Sequence, residues 1–156
     1  MKKWIPYLGF PALALGVGML SGKLSADGLE RTRPLLEKIP LNPPSIVFPI
    51  VWTILYLLMG ISAARVFLKK DTLVGNPALL LWQIQLAVNF CWSLLFFELN
   101  FFFLSFLWLL LLWVLVLGFI LLAKRLDTIA AWLQIPYLLW LTFAAYLNFA
   151  AWWITR

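Results

Sequence analysis

Five apolar stretches, each about long enough to cross a bilayer, take up most of the 156 residues. They fall at about residues 4–22, 45–68, 78–97, 101–123 and 129–154. A hydrocarbon core roughly 30 Å thick is crossed by about 20 helical residues. Within lipid, backbone groups must be satisfied by helices or by a closed barrel. Barrel strands alternate apolar and polar residues in pieces of about ten, and no such segment is present. The run Leu107-Trp108-Leu109-Leu110-Leu111-Leu112-Trp113 is instead apolar on every face, as a lipid-embedded helix is. With 65% of residues hydrophobic and 12% charged, too little polar surface remains for a soluble domain. The predicted fold is an all-α integral membrane protein, one domain over residues 1–156 built as a five-transmembrane-helix bundle.

What lies outside the spans narrows the chemistry. The formal charge of +6 does not gather on one helix face. Lys2-Lys3, Arg65 with Lys69-Lys70, and Lys124-Arg125 sit at span ends, where long cationic side chains reach headgroups. The basic residues therefore point to a lipid bilayer and away from nucleic acid. No histidine is present, which removes the usual ligand for zinc, copper or haem iron and the usual general base. No metal site and no required cofactor is expected. The lone Cys91 allows no intrachain disulfide. Lys2-Lys3 before an apolar run could open a signal peptide, but the run is longer than a usual signal core. Its small-x-small triplets, Ala12-Leu13-Ala14 and Gly16-Val17-Gly18, also lie inside it. A retained first helix is expected.

Along the chain, Pro6 and Pro11 should bend or fray the first helix. Ala14, Gly18 and Gly22 recur every four residues, forming a small-residue face for close helix packing, within the chain or between subunits. Residues 23–44 form the one long connection, with mixed charge and Pro34, Pro40, Pro43 and Pro44, a pattern suited to a lid or binding element. The connections at 69–77, 98–100 and 124–128 are short. They predict consecutive helices as antiparallel neighbours in an up-down bundle. Lys2, Lys3, Arg65, Lys69, Lys70, Lys124 and Arg125 lie on the N-terminal side, against Lys23, Arg31, Arg33, Lys38 and Arg156 opposite. That bias favours a cytoplasmic N-terminus.

Polar and aromatic residues inside the spans fall on three helical faces. The second span aligns Trp52, Tyr56 and Met59. The third aligns Trp82, Gln85, Asn89, Trp92 and Phe96, and the fifth Tyr137, Trp140, Ala144 and Asn148. Amides in hydrocarbon need partners, so Gln85, Asn89 and Asn148 should point inward. Taken singly, each is explained by interhelical hydrogen bonding. Together with the rings, they describe the lining of a site for a large, flat, mostly apolar ligand. The predicted ligand-binding set is Trp52, Tyr56, Gln85, Asn89, Trp92, Trp140, Ala144 and Asn148, and Trp52, Asn89, Trp140 and Asn148 are expected to face one cavity. Trp4, Trp132, Trp152 and Trp153 lie near span ends, where interfacial anchoring accounts for them. Conventional catalytic constellations are missing: Glu98 and Asp127 have no carboxylate partner nearby in sequence, no serine has a histidine to activate it, and there is no glycine-rich phosphate loop. No carboxylate lies deep in a span, which gives proton-coupled transport little support.

The ordered set of residues resembles the translocator protein family, also called tryptophan-rich sensory proteins or peripheral benzodiazepine receptors. The resemblance runs from Gly18 to about Phe149. It rests on Gly18-x-x-x-Gly22, Lys38 with Pro43-Pro44, Phe48, Val51-Trp52, Leu55-Tyr56 and Met59-Gly60. It continues with Gln85-Leu86, Asn89-x-x-Trp92-x-x-x-Phe96-Phe97, Pro136-Tyr137-Leu138-x-Trp140, Phe143-Ala144 and Leu147-Asn148. The resemblance implies five membrane helices, a homodimer, a bacterial setting, and a pocket closed by the first loop. It implies porphyrins or other tetrapyrroles as ligands, with a sensory, regulatory or transport role. Light-dependent porphyrin degradation, with Trp52 and Trp140 as candidate reactive residues, and small-molecule transport are the alternatives. By position, Trp52 and Trp140 match pocket tryptophans, and Asn89 and Asn148 match pocket amides.

Two departures stand out. Thr32-Arg33 replaces a Trp-Tyr pair, and Lys38-Ile39-Pro40-Leu41-Asn42-Pro43-Pro44 lacks the tryptophan of Lys-Pro-x-Trp-x-Pro-Pro. The lid is therefore poor in aromatic residues, and weaker ligand binding is expected than in members with the full motif. After Tyr146 the first basic residue is Arg156, too distant for a sterol motif of Tyr followed closely by Lys or Arg.

Overall fold

Helices dominate because apolar backbone in lipid has few other ways to bond its N–H and C=O groups. The computed structural model describes residues 2–70 and 76–156, the Lys70 side chain excepted. Its elements are α1 (Trp4–Leu24), α2 (Ala26–Leu36), α3 (Val47–Lys70), α4 (Pro77–Ser93), a π-helical turn (Leu94–Glu98), α5 (Phe102–Leu126), α6 (Thr128–Leu133) and α7 (Ile135–Thr155). Five stretches are long and apolar enough to cross a membrane, each overlapping one predicted span. The protein is an all-α integral membrane bundle. Most of the predicted 69–77 connection lies outside the described residues.

Three local features differ from the sequence reading. The long connection contains a helix, α2, where a proline-rich loop is expected. Its Pro34 falls near the end, so the lost N–H removes little of the ladder. The third span ends in the π-turn, followed by Asn100 at φ 53°, a left-handed conformation that asparagine tolerates. The fifth span is two helices. Pro136 stands at the start of α7, where it has no N–H to bond one turn back and its ring crowds the carbonyl there, so α6 cannot run on into α7. The chain breaks at Gln134, whose N–H bonds to the Ala131 carbonyl.

Around the bundle, α1 packs chiefly on α3, α4 on α5, and α5 on α7. Although consecutive, α3 and α4 touch only lightly, because α1 packs against both. The cause is small residues at the crossing: a Cβ on Gly60 would overlap the Pro11 backbone, and one on Gly18 would overlap the Tyr56 ring. α1 accommodates Pro11 without ending there.

The two ends of the bundle close differently. At the N-terminal end α6 fills the gap between α3 and α5. Arg65 donates through Nε to Asp127 Oδ1 at 3.1 Å, and its Nη2 lies 3.1 Å from Oδ2. Asp127 also caps α6 by accepting from the Ala130 N–H at 3.0 Å, while Ser62 Oγ donates to the Ala130 carbonyl at 2.7 Å. At the other end α3 and α7 share almost no backbone contact, and the space between them is roofed by α2.

Candidate functional site

That space is a cavity of about 870 Å³, at the upper end of the roughly 300–1,000 Å³ that holds small-molecule ligands. The C-terminal half of α1, the inner face of α2, residues 42–46, the start of α3, the end of α4 and the middle of α7 enclose it. Its walls are mostly apolar and include two groups of aromatic rings. Trp52 stacks on Tyr56 with centroids 5.6 Å apart and meets Trp140 edge to face at 6.4 Å. Phe48 packs on the other side of Trp140 at 5.8 Å. A second aromatic group comes from the end of α4, where Trp92 stacks on Phe96 at 5.3 Å. Ala144 and Leu147 of α7 leave room between the groups.

The roof is tied down by polar contacts that sequence periodicity does not reveal. The Gly28 N–H donates to Glu98 Oε1 at 2.7 Å, and Arg31 Nη2 donates to the Glu98 carbonyl at 3.2 Å. Asn100 Nδ2 donates to Thr32 Oγ1 at 3.1 Å. Gly28 is required there because a Cβ would overlap the Phe97 carbonyl. The strap after α2 is held by Tyr146, whose hydroxyl donates to the Pro40 carbonyl at 2.7 Å.

Of the eight predicted ligand-binding residues, the structure brings six to the cavity wall: Trp52, Tyr56, Trp92, Trp140, Ala144 and Asn148. Gln85 and Asn89 are not there. Both are buried in a sealed layer beyond it. Tyr56 Oη donates to Asn89 Oδ1 at 2.7 Å, and Asn89 Nδ2 donates to Tyr137 Oη at 2.7 Å. Tyr137 Oη donates in turn to Gln85 Oε1 at 2.8 Å. The chain ends with Gln85 Nε2 donating to Met59 Sδ at 3.7 Å. Asn89 thus departs from the expected four-residue cavity face, because both its amide atoms are used in joining α3, α4 and α7. Tyr56 belongs to both layers, its ring on the cavity and its hydroxyl in the seal.

Asn148 lines the cavity but is also braced: Trp92 Nε1 donates to its Oδ1 at 3.0 Å, and its Nδ2 donates to the Phe102 carbonyl at 2.8 Å. Of the small-residue face, Ala14 is fully buried, Gly18 abuts Tyr56, and Gly22 faces open space. Gly18 and Gly22 both line the cavity. The side-chain N–H of Trp140 is buried without a partner, as are polar atoms of Ser21, Ser25, Arg33 and Asn42. All five residues border the cavity. The serines, Arg33 and Asn42 lie outside the predicted ligand-binding set. The four-residue step from Ser21 to Ser25 continues the Ala14-Gly18-Gly22 face closely enough to have marked them. Among the described residues, no cluster of His, Cys, Asp or Glu could hold a metal ion.

A family model described as TspO/MBR matches residues 10–154. The chain is 38% identical over 118 residues to Protein CrtK of Rhodobacter capsulatus, covering 75% of this chain and 74% of that protein. It is 37% identical over 148 residues to the tryptophan-rich sensory protein of Cereibacter sphaeroides, covering 95% and 90%. To the translocator protein of Homo sapiens it is 31% identical over 152 residues, covering 96% and 89%.

Proposed function

The chain belongs to the TspO/MBR family, and from that premise we propose that it binds porphyrins or similar flat apolar molecules within the bilayer, in a sensory, regulatory or transport role. One observation carries the proposal: a cavity of about 870 Å³ walled by Trp52, Tyr56, Trp92 and Trp140. Flat rings stack on aromatic side chains with about 0.5–1.5 kcal/mol per pair beyond area burial. The unpartnered Trp140 N–H adds a donor at the wall. Relatives named tryptophan-rich sensory protein and translocator protein support the sensory or transport part. A homodimer belongs to the same proposal, and its mass in detergent tests it.

The test is titration of purified protein with metal-free protoporphyrin and with haem, followed by tryptophan fluorescence. Saturable quenching is expected with both. Similar affinities are expected because no histidine is present to supply the usual haem ligand. Absence of quenching, or a strong preference for haem with a low-spin spectrum, would overturn this reading.

A second reading is light-dependent porphyrin degradation with dioxygen as oxidant. It is favoured by the Trp52–Trp140 edge-to-face pair in the cavity wall, where excited porphyrin could oxidise an indole directly or through reactive oxygen. Loss of porphyrin absorbance under illumination, faster than in detergent alone, separates the degrading enzyme from the binder. Flux into vesicles separates the transporter.

A further inference from the structure

The inner face of α2 presents Leu29, Arg33 and Leu36 to the cavity. Arg33 is the one cation among the lining residues. Its Nη2 is held from the outer side by Glu30 Oε1 at 2.9 Å, while its Nε–H is buried without a partner. Ser21 near the end of α1 and Ser25 at the junction of α1 and α2 also line the cavity; they are 2% and 4% exposed, and both hydroxyls lack partners. Serine hydroxyls in helices commonly bond to a carbonyl one turn back, as Thr32 Oγ1 does to Gly28. Neither serine does so here. Three unpartnered donors therefore border a cavity whose remaining lining is mostly aromatic and aliphatic.

We propose that this polar rim makes the site selective for flat apolar ligands bearing a carboxylate, with the Arg33 guanidinium as its receptor and Ser21 and Ser25 as supporting donors. The inference rests on the reading of the cavity as a porphyrin-type site and narrows it. Guanidinium–carboxylate hydrogen bonds are charge-assisted and about twice as strong as neutral ones. The opposing groups are weaker. Glu37 also borders the cavity but is exposed to solvent; the Arg33 side chain is 41% exposed and shares its Nη2 with Glu30, so what it keeps for a ligand is the buried, unpartnered Nε–H. Asn42 Oδ1 is an unpartnered acceptor on the same rim, yet it is neutral.

Protoporphyrin and its dimethyl ester share one ring system and differ in their carboxylates. Titrating each against the full-length protein in detergent, by tryptophan quenching, tests the assignment. Wild type should bind the diacid about tenfold more tightly than the ester, as a charge-assisted bond implies. Arg33→Gln should reduce that preference to about twofold or less, Arg33→Lys should keep most of it, and Ser21→Ala with Ser25→Ala should cut it by about threefold. Arg33 lies on the lid outside the bundle core, and an unchanged melting temperature will verify that its variants are folded. Equal affinity for the two ligands in wild type, or a preference that survives Arg33→Gln, overturns the carboxylate assignment while leaving a flat-ligand site. Failure of both porphyrins to bind overturns that site as well.

Discussion

The two ends of this bundle differ in how completely their buried polar side chains are paired. At the N-terminal end and in the mid-bundle layer, polar groups are spent on each other: Arg65 on Asp127, Ser62 on Ala130, Tyr56 on Asn89 and Tyr137 on Gln85. Asn76 and Gln134 are the exceptions, with amide atoms unpaired and no place in the cavity wall. At the other end Ser21, Ser25, Arg33, Asn42 and Trp140 border the cavity with atoms unpaired. An unbonded buried donor or acceptor costs about 1–3 kcal/mol, so stability alone does not account for so many on one surface. One end is arranged to hold helices together and the other to receive something.

Two glycines give the largest contrast between the ends. Gly60→Leu would drive a side chain into the Pro11 backbone, which cannot move without separating α1 from α3. It is expected to abolish the folded, monodisperse protein in detergent. A Cβ on Gly22 meets nothing within 4 Å and Gly22 borders the cavity, so Gly22→Leu should leave the melting temperature within a few degrees while filling cavity volume and weakening porphyrin binding about tenfold or more. If both variants fold equally well, the packing described for α1 and α3 is wrong. Unimpaired binding by Gly22→Leu would place the ligand elsewhere.

Next in size is the seal. Asn89→Leu removes the acceptor of Tyr56 and the donor to Tyr137 together. A loss of about 2 kcal/mol is expected in detergent unfolding, between the small average of membrane hydrogen bonds and the cost of stranded buried hydroxyls. Trp140→Phe touches the cavity instead: it keeps most of the ring area and removes an N–H that bonds to nothing. It should cost less than 1 kcal/mol of stability. Under illumination, Trp140→Phe and Trp52→Phe should slow loss of bound protoporphyrin if the protein degrades it. Equal decay in both variants and wild type, at the rate of free porphyrin, would leave binding only.

The same contrast explains what the sequence could and could not disclose. Helix number and inward-facing amides were legible because hydropathy and a 3.6-residue period report them directly. Depth along a helix is not encoded in that period. Asn89 and Trp92 share one face of α4, yet one lies in the sealed layer and the other on the cavity. Whether an inward residue meets a partner or a void depends on how far α3 and α7 diverge. Neither the packing of α6 between α3 and α5 nor the break at Gln134 is visible in that period, and only Pro136 hints at the break. The polar rim was missed because α2 is a helix where the prolines suggested a loop. Once it is helical, Leu29, Arg33 and Leu36 align on its inner face and the side chain of Arg33 has a direction.

A pH titration tests whether the closed end is electrostatically held. Asp127 lies between the last two spans. Burial raises the cost of its charge, but hydrogen bonds from Arg65 and the Ala130 N–H, with the nearby charges of Arg65 and Lys69, outweigh this and hold its carboxyl below the ordinary value of 3.8. A carboxylate whose pKa is lower in the folded state stabilises that state above its unfolded pKa, and the contribution fades as pH falls toward the folded value. Melting temperature should therefore be flat from neutral pH to about pH 5 and drop below about pH 4. In Asp127→Asn that acid-side drop should shrink, and stability at neutral pH should fall by about 1 kcal/mol, because Arg65, its side chain 29% exposed, recovers solvation when the buried carboxylate is lost. Porphyrin affinity at neutral pH should not change, since Asp127 and Arg65 are absent from the cavity wall. A matching loss of affinity would mean that the two ends are coupled through α3, and the division between a holding end and a receiving end would fail.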